Sequence, residues 1–164
     1  MVKCNISILV CTMIYINGFI KESIVDGDGL RFVLFVQGCP HHCKGCHNPQ
    51  TWNDTNGKWV LESDIITQIS KNPLLDGITF SGGEPFYKKE NEKGLIKIAK
   101  KVHEMGKTVW CYTGYLYEEI KDRELTKYID VLVDGKYEES LKTYFGFKGS
   151  SNQRVIYLND QPNR

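Results

Sequence analysis

From Arg31 onward, short runs of apolar residues alternate with stretches in which apolar positions recur every three or four residues. Phe32–Val36 is a continuous apolar run that ends near Gly38, the pattern of a strand buried on both faces. Leu61, Ile65, Ile66 and Ile69 then recur at helical spacing, and Pro73 bounds that helix. Ile78–Phe80 predicts a short strand running into Ser81–Gly82–Gly83. The stripe Leu95, Ile98, Ala99 and Val102 predicts a second helix, with Gly106 as its C-terminal cap. Thr108–Tyr112 reads as a strand and Tyr117–Lys127 as a helix. Val131–Val133 reads as a strand stopped by Asp134–Gly135, and Arg154–Leu158 as the last one.

Strands alternating with helices imply right-handed βαβ units and an α/β fold. The expected architecture is a partial (β/α) barrel or a curved, mostly parallel sheet of five to six strands flanked by helices. A closed eight-stranded barrel needs roughly 250 residues, and the chain has 164. In such folds ligands gather at the C-terminal ends of the parallel strands. Cys39, Gly82, Thr113 and Asp134 each follow a predicted strand, so all four fall on one edge.

The apolar run Ile6–Ile16 follows Lys3 and is too short to span a membrane. It reads as a first strand preceded by an N-terminal extension, residues 1–12, with Met13 as an alternative start. No repeat or linker interrupts the rest, so residues 13–164 are expected to form one domain. Hydrophobic residues make up 41% and charged residues 25%, and the net charge is +1. That balance gives no reason to expect nucleic acid or a membrane surface as a partner.

Six cysteines change the picture. Cys4, Cys11 and Cys111 are scattered among apolar residues and read as small buried hydrophobes. Cys39, Cys43 and Cys46 are too close in sequence to bridge one another and well placed to converge on one metal centre. A reducing cytoplasm fits this usage. The loop runs Gly38–Cys39–Pro40–His41–His42–Cys43–Lys44–Gly45–Cys46–His47, with spacing C-x3-C-x2-C. Three thiolates without a fourth cysteine nearby suit a 4Fe–4S cubane with one iron left open, as catalytic metal sites keep a position for substrate. Gly38 and Gly45 allow tight turns that bring peptide N–H groups to the sulfurs. A structural zinc with His41, His42 or His47 as fourth ligand stands about level on this loop alone, although zinc pairs are usually spaced ~12–20 residues apart.

A second loop, Thr79–Phe80–Ser81–Gly82–Gly83–Glu84–Pro85, has two glycines at a strand end beside an acid. Such glycines let a ligand lie on bare backbone, and strand-end carbonyls with Glu84 suit an ammonium group. It is no phosphate cradle, because the P-loop pattern is missing and the adjacent charge is negative. Alone, it would read as a tight turn with a capping Glu.

Together, Cys39-x3-Cys43-x2-Cys46 and Ser81–Gly82–Gly83–Glu84–Pro85 resemble the radical S-adenosylmethionine superfamily. The resemblance implies a 4Fe–4S cluster on Cys39, Cys43 and Cys46. It also implies S-adenosylmethionine chelating the open iron, with its amino group at Gly82, Gly83 and Glu84. Asp26–Arg31, Phe35–Pro40 and Cys46–Trp52 resemble the glycyl-radical-enzyme activases, although Gly27–Asp28–Gly29 departs from their commoner G-P-G. Gly45 before the third cysteine, Tyr112–Tyr115, Val133–Gly135 and Gly149–Arg154 are similar to the branch that activates anaerobic ribonucleoside-triphosphate reductase.

That branch implies the reductase large subunit as partner and an electron donor such as flavodoxin. It also places Gly45 and His47 on the adenine or cluster side, and Asp134 with Lys136 near the cofactor carboxylate; Asp134–Gly135 alone could equally be a simple turn. Thr113 and Tyr115 are weaker candidates for the same site. No residue is expected to act as a general base. The alternatives are activation of another glycyl radical enzyme such as pyruvate formate-lyase, or a non-catalytic module stapled by zinc.

Overall fold

A computed structural model describes residues 11–159. In chain order the elements are β1 (Met13–Ser23), β2 (Arg31–Val36), β3 (Lys58–Leu61), α1 (Glu62–Ser70), β4 (Gly77–Gly82), α2 (Lys89–Glu104), β5 (Thr108–Tyr112), α3 (Tyr117–Ile120), β6 (Val131–Asp134) and β7 (Arg154–Tyr157). They build one sheet in the order β3-β1-β2-β4-β5-β6-β7. β2, β4, β5 and β6 are parallel neighbours. β1 and β3 extend the sheet antiparallel on one side, and β7 does so on the other. The α/β class and the parallel centre agree with the expectation, but the sheet has seven strands rather than five to six.

The added strand is β3, whose Leu61 closes the strand and caps α1 instead of opening the helical stripe. The helix expected over Tyr117–Lys127 also breaks. α3 stops at Ile120, and a 3₁₀ turn takes over at Leu125–Tyr128. The Thr126 hydroxyl donates to Ile120 O (2.7 Å), and Glu92 of α2 accepts from Arg123 (2.8 Å) and from the Leu125 N–H (3.3 Å), drawing the chain back onto α2.

Period-two alternation divides the sheet's two faces. Val109 and Cys111 of β5 join the large core under α1 and α2, and Trp110 between them packs with Val131 and Val133 on the other side. Leu95, Ile98, Ala99 and Val102 of α2 are fully buried in the large core, as their stripe requires. No helix among the described residues is long and apolar enough to cross a membrane.

Arg31 is buried at the start of β2 and ties three parallel strands together. Its guanidinium donates to Thr79 Oγ1 (2.8 Å), Ile78 O (2.7 Å) and Thr108 O (2.8 Å). Burial lowers it to about 10, against the pull of Asp76, Asp130 and Asp28.

Most of the N-terminal extension, with Cys4, lies outside the described residues. Thr12 is nonetheless tied to the body, its N–H donating to Glu62 Oε2 (2.9 Å). Cys11 is exposed, contrary to the expectation of burial, because it precedes the strand that would have covered it; Cys111 is buried as expected.

Candidate metal and cofactor site

The four parallel strands end on one edge, and the candidate residues gather there. Val36 stands opposite Gly82 in the β2–β4 pair. Beyond that pair the backbone continues as a ladder, with Gly83 N–H donating to Val36 O (2.9 Å) and Glu84 N–H to Gly38 O (2.8 Å). Gly83 needs its missing side chain for this approach, since a Cβ would collide with Gly38 O. The cysteine loop is held from the other side: Gly38 and Cys39 donate their N–H groups to Thr51 O (2.7 Å) and Trp52 O (3.2 Å).

A cleft of about 840 Å³ opens above these strand ends. Cys39, Cys43, Cys46 and His47 line it together with Ser81, Gly82, Gly83, Glu84 and Thr113. The two motifs that lie apart in sequence therefore face one space.

Each sulfur has peptide N–H groups beside it. The Cys39 thiol is pushed up to about 11 by burial, while the His41 and His42 N–H groups favour its thiolate. Burial also raises the Cys43 thiol, and the Tyr137 N–H and the Lys136 charge act to lower it. Asn48 donates its N–H to Cys46 Sγ at 3.4 Å. Gly45 turns the loop at φ 73°, where a Cβ would stand 2.8 Å from the Glu139 side chain. Gly45 is thus required by the loop's shape, and it does not itself line the cleft.

Glu84 is 2% exposed and its carboxylate is surrounded by donors. Oε1 accepts from Thr113 Oγ1 (2.8 Å) and the Phe86 N–H (3.1 Å). Oε2 accepts from the Gly114 N–H (2.8 Å) and is paired with His41 Nε2 (2.8 Å). One buried acid therefore joins the cysteine loop, the end of β4 and the end of β5.

Asp134 is fully buried, with Oδ1 accepting from Arg154 Nε (2.9 Å) and Oδ2 from the Tyr117 N–H (2.7 Å) and from Arg154 Nη2. It stands behind the cleft, whose wall here is made by Gly135 and Tyr137. The Gly149–Arg154 tail clasps that wall. Gln153 Nε2 donates to Gly135 O (2.9 Å), Asn152 donates to Lys136 O (2.8 Å), and Ser150 Oγ accepts the Glu138 N–H (3.1 Å). Tyr115 packs edge-on against His41 at 4.6 Å.

The histidines weighed as a fourth zinc ligand have other neighbours. His41 is held by Glu84, His42 stacks on Trp52 at 4.8 Å, and His47 lies against Tyr137 at 5.2 Å. Among the described residues no three His, Cys, Asp or Glu side chains gather to hold a single metal ion. The donor set that remains is three thiols with N–H groups around them, which suits a thiolate-bound cluster. Trp52 adds to the fit, because it lines the cleft and its Nε1 is buried without a hydrogen-bond partner.

Sequence reasoning missed Tyr137, Trp52 and the clasp's mechanical role. The Trp52 indole was readable as a residue within Cys46–Trp52, but its buried N–H was not.

A family model described as a 4Fe-4S single cluster domain matches residues 25–156. The anaerobic ribonucleoside-triphosphate reductase-activating protein of Enterobacteria phage T4 is 41% identical over 136 residues, covering 80% of this chain and 86% of the phage protein. The protein of that name from Escherichia coli is 36% identical over 144 residues, 82% of this chain and 93% of its own. Its counterpart in Haemophilus influenzae is 37% identical over 147 residues, 84% of this chain and 94% of its own. Matched by that domain model over most of its length and 36–41% identical to these relatives, this chain belongs to the family of anaerobic ribonucleoside-triphosphate reductase-activating proteins.

Proposed function

We propose that residues 13–164 act as one radical S-adenosylmethionine domain that installs the glycyl radical of the anaerobic ribonucleotide reductase large subunit. The observation that carries this reading is that the three thiols and the Ser81–Glu84 strand end line a single cleft. When bound, a 4Fe–4S cluster and S-adenosylmethionine would supply one-electron reductive chemistry that ends in hydrogen abstraction from a backbone glycine of the reductase.

The chain's own residues do the holding. Cys39, Cys43 and Cys46 would hold the cluster as thiolates. N–H groups of His41, His42, Tyr137 and Asn48 spread the sulfurs' negative charge, and the unpaired Trp52 indole N–H offers one more donor. Bare backbone at Gly82 and Gly83 receives the methionine moiety. Glu84 keeps that backbone in place through its four donors and contributes a negative field toward the amino group.

Lys136, exposed and outside the cleft's lining, acts through its charge, which is felt at Cys43, and Asp134 fixes the strand end that carries it. His47 bounds the adenine or cluster side, and Gly45 only turns the loop that carries it. A cytoplasmic flavodoxin-type carrier supplies the electron.

Anaerobic purification tests the cluster. About four iron per chain and a broad absorption at about 400 nm are expected, both lost in Cys43→Ala. A colourless protein with one tightly bound zinc, or continued 5′-deoxyadenosine formation by Cys43→Ala, refutes the assignment. With reductant, S-adenosylmethionine and the reductase, electron paramagnetic resonance is expected to show a glycyl radical. A radical formed only with pyruvate formate-lyase reassigns the target.

A further inference from the structure

The sheet fixes where β2 and β4 end, but it does not fix the cysteine loop that continues from β2. Many of the contacts there stay within residues 38–52. Gly38 and Cys39 donate to Thr51 O and Trp52 O, Cys46 N–H donates to Cys43 O (3.1 Å), and His42 stacks on Trp52. Tyr137 touches the loop from the β6 side, against His47. Lys44 meets Glu139 at 3.7 Å with 93% of its side chain exposed, a surface pair that holds little. His41 is different. Its Nε2 lies 2.8 Å from Glu84 Oε2, and the two side chains are 7% and 1% exposed.

The seat of His41 is shaped for it. The chain turns left-handed at His42 (φ 48°), and His41 and His42 go to different partners, Glu84 and Trp52. Tyr115 packs edge-on against the His41 ring, and the Gly114 N–H donates to the same Glu84 oxygen (2.8 Å). A Cβ at Gly114 would stand 2.4 Å from His41 Cδ2 and 2.7 Å from Nε2. No left-handed backbone demands a glycine at that position, so it is the imidazole that demands it.

We propose that His41 is a positioning residue for the cofactor: it holds the cysteine loop in register with the Gly82–Gly83 strand end, so that one S-adenosylmethionine meets both. This rests on the activase reading above, in which the loop holds the cluster and the strand end receives the methionine moiety. A ligand that must reach two separately carried groups at once binds only as tightly as those groups are held in register. A slack loop still holds iron through its three thiolates, yet it presents the cluster at a range of distances from Gly82 and Gly83. His41 therefore acts on cofactor affinity and leaves cluster content alone.

The test uses His41→Leu, His41→Gln and Gly114→Ala in the full, anaerobically reconstituted chain. S-adenosylmethionine is titrated into the reduced protein. Half-saturation is read, per loaded cluster, from the change in the electron paramagnetic resonance spectrum. His41→Leu fills the seat without a donor and is expected to raise the half-saturation at least about tenfold, the scale of one hydrogen bond to a charged group. Gly114→Ala alters no residue of the cysteine loop and is expected to do the same by displacing the ring. His41→Gln, which keeps an N–H donor, is expected to recover most of the affinity. Iron per chain is expected to match the wild type in all three. An unchanged half-saturation in either His41→Leu or Gly114→Ala overturns the proposal, with or without loss of iron. Equal losses in His41→Gln and His41→Leu overturn it too, because the donor would then be irrelevant. A wild-type protein that holds no cluster, or whose spectrum ignores S-adenosylmethionine, defeats the activase reading itself.

Discussion

At Glu84 a single carboxylate joins three strand-end segments, and its surroundings make it unusually intolerant of change. All four contacts are donors, two from backbone and two from side chains. Glu84→Gln keeps one accepting oxygen and turns an NH₂ toward donors that need an acceptor. The variant is expected to lose about 3 kcal/mol of stability, the scale of hydrogen bonds to a charged group. Denaturant unfolding of the iron-free protein measures it; a wild-type midpoint would show that the four contacts contribute nothing together. The sequence marked Glu84 as an acid beside glycines, but its partners His41 and Thr113 lie 43 and 29 residues away and carry no local signature. Tyr137 was harder still to foresee, because it acts through a backbone N–H that any residue but proline possesses.

Among the elements, the parallel strands were the most readable, since burial on both faces leaves a run of apolar residues that little else imitates. β3 escaped notice because a four-residue edge strand has too few positions to show a period, and its Leu61 fits the adjoining helical stripe equally well. The Asp26–Arg31 segment was legible only as a resemblance. Its physical role is at the opposite end of the strands from the thiols, where Arg31 spans β2, β4 and β5. Arg31→Lys replaces a fork that meets several acceptors at once with a single ammonium, leaving buried carbonyls unpaired. A loss of about 3–5 kcal/mol is expected in chemical denaturation, as for breaking a buried charged network. Iron bound per folded chain is expected to stay at the wild-type value. Loss of iron at unchanged stability would contradict the separation of clamp from site.

For the whole molecule, the proposed site of cysteine loop and strand ends exists only in the folded chain, so on that assignment iron binding and folding are linked. With ligand a thousandfold above its dissociation constant the linkage supplies about 4 kcal/mol, which for a chain of this size raises Tm by roughly 8–16 °C. Anaerobic calorimetry of loaded and iron-free protein checks this. The gap has a pH dependence of fixed sign. The Cys39 thiol, pushed up to about 11, is protonated in the iron-free chain at neutral pH, and as one of the proposed ligands it has to lose its proton to bind iron. The difference in Tm is therefore expected to widen as pH rises from about 6 to about 8. A gap that narrows over that range would show that Cys39 is no ligand.

The pairing of Val36 with Gly82 has an architectural consequence. Neighbouring strands lie about 4.8 Å apart whatever the length of chain between them. The separation of the two motifs is therefore a property of the sheet, and the crossover of β3 and α1 acts as a strap whose length the chemistry never senses. Two adjacent strand ends, lifted onto another parallel sheet, would carry the same spacing with them.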